Sequence, residues 1–185
     1  PAGFAKAVTG RPDPFALWDW FAQHIIDSPD TNNRFDVAGR LNAMFDGVGP
    51  FWGNPLGRDI PELPRKGRAR TCSRFAERRQ VENHAKGSFT CWQMAGAGAV
   101  GSQVMMGLPV LHRLRQTFAG DISVWPFEHA TAPIVIAEVW PSLFTGTAPE
   151  GVIKDAWYCT AQSHPAAALA QRLFCHAARG LLDSR

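Results

Sequence analysis

The sequence predicts an α/β fold, a small mixed sheet with helices packed on it. Three observations carry that expectation. Residues 122–127 and 133–140 are short runs of apolar, aromatic and β-branched residues, and the second holds the unbroken Ile134-Val135-Ile136-Ala137, the pattern of a strand covered on both faces. Segments of helical periodicity lie before and after these runs. Between them, an aromatic and apolar run at 88–94 gives way to a helical pattern through Gly96, Gly98 and Gly101, the order strand, glycine turn, helix. The chain has 185 residues, 45% hydrophobic and 19% charged, which suits one domain over 1–185 with a sizeable core.

In chain order, Asp13-Pro14 reads as an N-cap followed by proline at the first helical position. Phe15, Leu17, Trp18, Phe21, Ile25 and Ile26 then supply a helix face. A cap-like cluster at 30–33 opens a second helix reaching about Phe45. Residues 47–67 carry Pro50, Pro55, Pro61 and Pro64, which exclude a regular helix, and Phe51-Trp52-Gly53 is placed to pin this long loop to the body of the protein. Residues 74–82 read as a short helix and 88–94 as a buried strand. The helical pattern from Gln103 to Phe118 is interrupted at Gly107-Leu108-Pro109, so Pro109 is expected to start a second segment at a kink. Two strands follow, with Glu128 at the end of the first and Glu138 inside the second. Helices at about 152–160 and 165–182 complete the chain.

No apolar run approaches the length needed to span a bilayer, and no signal peptide is visible at Pro1. Cys72, Cys91, Cys159 and Cys175 show no C-x-x-C or zinc-finger spacing, so they read as reduced, mostly structural thiols of a cytoplasmic protein. The six histidines show no repeated metal spacing, and Ser102 has no nucleophile elbow around it.

The chemistry concentrates in three places. Gly96, Gly98 and Gly101 fit G-x-G-x-x-G, which suits either a phosphate at a helix N-terminus or a tight turn with close packing. Between 58 and 79 the eight basic residues Arg58, Arg65, Lys66, Arg68, Arg70, Arg74, Arg78 and Arg79 face only Asp59, Glu62 and Glu77. This basic arm, within the Gly/Pro-rich stretch of about 47–79, either tracks phosphates or forms a solvated surface. Glu138 in an apolar strand is costly unless it is paired, bonded or at the strand end, and Asp155 lies near a helix start. If the two converge they form a candidate Mg²⁺ site; otherwise Glu138 pairs with Lys154 or an arginine and Asp155 caps its helix.

The ordered blocks at 92–103 (Trp92 to Gln103), 107–109, 111–115, 125–128, 137–142 and 153–156 together resemble an uncharacterised bacterial family described as predicted RNase H-like nucleases. Some alphaproteobacterial members of that family carry the label molybdopterin guanine dinucleotide synthesis protein. The resemblance covers most of the chain and implies an RNase H-like sandwich. Members have Asp-bearing strands ahead of this region, which implies that Pro1-Ala2-Gly3-Phe4 follows such a strand and that the first strands and their leading carboxylate are missing here. Glu138 and Asp155 then stand as the catalytic and metal-binding acids. Phe75-Ala76-Glu77-Arg78 departs from the more basic pattern expected, which weakens a role for Glu77.

Two function classes follow. One is a metal-dependent, nuclease-like hydrolase of nucleic acid or nucleotide phosphates, with Mg²⁺ on Glu138 and Asp155 and with Arg65, Arg68 and Arg70 as phosphate clamps. The other is a non-hydrolytic nucleotide-binding protein connected with molybdopterin guanine dinucleotide synthesis, with Gly96, Gly98 and Gly101 facing the phosphates. A dinucleotide-dependent oxidoreductase is disfavoured, because its ribose-binding acid should follow the next strand whereas Asp121 precedes it.

Overall fold

Residues 3–68, 73–84 and 87–138 are described by the structure, a computed structural model. The chain divides into two compact units, residues 1–137 and 138–185. Glu138 is the described residue of the second unit, so the helices expected at 152–160 and 165–182 lie outside the described residues.

The first unit is α/β. Its described part holds four α-helices and two two-stranded sheets. Helix α1 (Phe4–Thr9) was not expected from the sequence; it is six residues long and ends at Gly10, whose φ of 75° allows its N–H to reach the Lys6 carbonyl. Helix α2 (Pro14–His24) starts as predicted, with the Asp13 carboxylate accepting from the Phe15 N–H at 2.9 Å. A hairpin of β1 (Asp27–Ser28) and β2 (Thr31–Asn32) then occupies part of what reads as a cap cluster. Asn33 ties it to α2, accepting from the Ile26 N–H at 2.8 Å and donating to the His24 carbonyl at 2.9 Å. Helix α3 (Arg34–Ala43) follows, burying Phe35, Val37, Ala38 and Leu41.

The loop from Gly47 to Gly67 has no helix or extended strand, as its prolines dictate, yet much of it is inside. Phe51, Ile60 and Leu63 are buried. Asn42, at the end of α3, organises it: its side-chain amide donates to the carbonyls of Phe51 (2.8 Å) and Glu62 (2.7 Å) and accepts from the Phe51 N–H (2.9 Å).

Three local expectations are corrected. Residues 88–94 form no regular strand; one isolated bridge pairs Trp52 with Gln93, flanked by turns. No α-helix spans 74–82, and the described turn there is a 3-10 segment at Gln80–His84. Helix α4 (Val100–Thr117) runs unbroken through Pro109. It packs chiefly on α2, and burial of Met105 and Pro109 compensates the hydrogen bond that proline removes.

Strands β3 (Ile122–Trp125) and β4 (Ile134–Ala137) are parallel, pairing Ile122 with Ile134 through Trp125 with Ala137. Both are shorter than the apolar runs predict. Val124 of β3 is buried, but Ile134 and Val135 of β4 are exposed, so β4 is not covered on both faces. Among the described residues β4 pairs with β3 alone. The core lies elsewhere, around an aromatic cluster in which Phe4 touches Phe45, Phe51, Phe75 and Trp92 at ring-centroid distances of 5.0–6.0 Å.

Candidate functional site

The basic arm enters through Pro64, whose carbonyl accepts from the N–H groups of Gly53 (2.8 Å) and Asn54 (3.3 Å). Gly67 lies on the Trp52 ring so closely that a Cβ there would sit 2.6 Å from Cδ2. Trp52 in turn exchanges backbone hydrogen bonds with the segment before the glycine turn: its N–H donates to the Trp92 carbonyl at 3.2 Å, and its carbonyl accepts from Met94 at 2.8 Å. A Cβ on Gly53 would lie 3.2 Å from the Ala95 nitrogen. Residues 64–67 and 92–95 are therefore joined through Trp52 and Gly53. The pinning role expected of Phe51-Trp52-Gly53 is what the structure shows.

Much of the arm's charge is engaged. Arg58 Nη2 donates to both Asp36 carboxylate oxygens, at 2.7 and 2.8 Å. Arg65 pairs with Asp59 at 2.8 Å and donates to the Leu56 carbonyl at 2.6 Å. Arg79 donates to Glu82 at 2.7 Å, and Arg78 donates to Ser88 Oγ at 2.9 Å. The Arg74 guanidinium lies 5.0–5.1 Å from the Phe45 and Phe75 ring centres. Lys66 and Arg68 are exposed and have no ion pair among the described residues. Arg70 lies outside the described residues. Phe75 anchors the far end in the aromatic cluster, and the Trp92 indole donates to the Ala76 carbonyl at 2.9 Å.

The glycine turn forms where the sequence places it, before α4. Gly96 and Gly98 have φ of 90° and 76°, a region costly for other residues. Its amides point inward: Ala99 donates to Gly96 (3.2 Å), Val100 to Gly98 (2.8 Å) and Gly101 to Gln93 (2.9 Å). The Ser102 hydroxyl donates to the Met94 carbonyl. A Cβ at Gly101 would lie 2.7 Å from the carbonyl oxygens of Cys91 and Gln93. Turn geometry and close packing thus account for these glycines without a ligand. Cys91 is a free thiol, and burial pushes its pKa up to about 11, which suits a structural role.

Glu138 follows β4 directly and is exposed. Asp155, Lys154 and any geometry between Glu138 and Asp155 lie outside the described residues. Glu128 has a structural task. It accepts from the Arg115 guanidinium and from the Val124 N–H (2.9 Å), and the Arg115 hydrogen bond holds its pKa below the ordinary value. Among the described residues no three His, Cys, Asp or Glu side chains group as a metal site. No described helix is long and apolar enough to cross a membrane.

Sequence reasoning missed Asn42, the Trp52–Gln93 bridge and the Arg78–Ser88 contact, all long-range pairings without local signature. Comparison with protein-family models, curated proteins and solved structures finds no match to this chain.

Proposed function

We propose that this chain binds the phosphates of nucleic acid or nucleotides through its basic arm, as part of an RNase H-like, nuclease-type protein. The observation that supports this most is the exposed pair Lys66 and Arg68 flanking Gly67, which is seated on Trp52 and so joined to the segment before the glycine turn. Arg65 and Arg70 extend the same run of charge. Arginine and lysine so spaced neutralise successive phosphates without reading sequence. Gly96 would let a phosphate approach closely, whereas Gly98 seats the Phe89 ring and Gly101 serves packing.

The hydrolytic part of the reading rests on the resemblance of the blocks from Trp92 to Ala156 and on Glu138, a hard oxygen donor exposed at the carboxyl end of a parallel strand. Glu138 and Asp155 would hold Mg²⁺, which when bound supplies a Lewis acid and an activated water. The alternative is binding without hydrolysis, as a nucleotide-binding protein connected with molybdopterin guanine dinucleotide synthesis; it rests on the arm, since the amides of the turn face inward.

The test is a labelled oligonucleotide incubated with the wild type and with a combined Arg65→Ala, Arg68→Ala, Arg70→Ala variant, with Mg²⁺ or with a chelator. Weakened binding in the variant supports the reading, and unchanged binding contradicts it. Digestion that requires Mg²⁺ and is lost in Glu138→Gln selects the nuclease; binding with no digestion selects the alternative.

A further inference from the structure

Phe89 is 54% exposed although the residues on both sides of it, Ser88 and Thr90, are buried. Its ring lies over Gly98 so closely that a Cβ there would come within 2.1 Å of Phe89 Cδ1. The backbone beneath is fixed on each side. Ser88 Oγ donates to the Glu82 carbonyl at 3.0 Å and accepts from Arg78 at 2.9 Å. Thr90 Oγ1 accepts from the Trp92 N–H at 3.2 Å. The result is a half-exposed aromatic ring backed by a glycine, with an exposed arginine whose guanidinium bonds the neighbouring residue. Arg74 is also exposed on the same arm.

We infer that Phe89 is a stacking platform for an unpaired nucleobase, with Arg78 taking the adjoining phosphate. The inference rests on the phosphate-binding reading above and narrows its substrate to single-stranded nucleic acid. A duplex hides its base faces in the stack, so this ring can engage only unpaired bases. The positive charge of Arg78, held on the adjacent Ser88, favours an anionic partner over a neutral apolar one.

The experiment compares anisotropy titrations of a labelled single strand and its matched duplex against wild type, Phe89→Ala and Phe89→Tyr, at one salt concentration. Phe89→Ala should weaken single-strand binding about tenfold, leave duplex binding unchanged and retain its melting temperature. Phe89→Tyr should bind like wild type. An unchanged single-strand affinity in Phe89→Ala, or equal losses on both ligands, overturns the inference. If the arm variant loses binding while Phe89→Ala does not, the phosphate reading stands and this one falls; binding of neither ligand by wild type overturns both.

Discussion

Asn42 shows how one polar side chain can decide a loop. It is 2% exposed and satisfies three backbone groups of the loop from Gly47 to Gly67. Each such group left unpartnered inside the protein costs about 1–3 kcal/mol. Asn42→Ala is therefore expected to lose about 3 kcal/mol of stability in urea unfolding, and a loss within experimental error would show that the loop is held by apolar contacts instead. Glu128 offers a pH-dependent counterpart. The hydrogen bond from Arg115 depresses its folded pKa, so its contribution is fully present above the ordinary carboxylate range and is lost as pH falls through the depressed value. The urea midpoint of Glu128→Gln should trail wild type at neutral pH and converge with it in acid. A gap that stays constant down the pH series would contradict the pairing.

The elements most legible in the sequence were those with a local signal. Asp13-Pro14 predicts the start of α2, the paired apolar runs predict β3 and β4, and Gly96 and Gly98 predict the turn before α4. The misreadings share a different cause. The run at 88–94 has the composition of a strand but spends its hydrogen bonds on Trp52, Ser102 and Gly101, so pairing reaches no further than one bridge. Pro109 reads as a helix break, yet burial against the core keeps α4 continuous. Gly101 joins these observations, since its missing side chain lets α4 start against the carbonyls of Cys91 and Gln93. Gly101→Ala should cost about 1–3 kcal/mol through that clash, despite alanine's better helix propensity. A more stable variant would show that the contact relaxes freely.

For the whole molecule, the sequence pointed correctly to α/β architecture and to a charged arm, but the arm's attachment was invisible in it. Trp52, Gly53 and Gly67 are far in sequence from Gln93 and Ala95, and only folding seats Gly67, between the exposed Lys66 and Arg68, on the Trp52 ring while the Trp52 backbone pairs with the segment before the glycine turn. Glu138 was legible as an unusual carboxylate, and its exposed place after β4 agrees with a strand end rather than a buried one. The salt dependence of binding tests the central claim most directly. Each phosphate contact removed lowers the slope of log affinity against log salt by about 0.7–0.9. The combined Arg65→Ala, Arg68→Ala, Arg70→Ala variant should therefore bind a single-stranded oligonucleotide more weakly than wild type, with a slope shallower by about 2. Equal slopes for the two proteins, or a wild-type affinity that does not change with salt, would contradict phosphate binding by the arm.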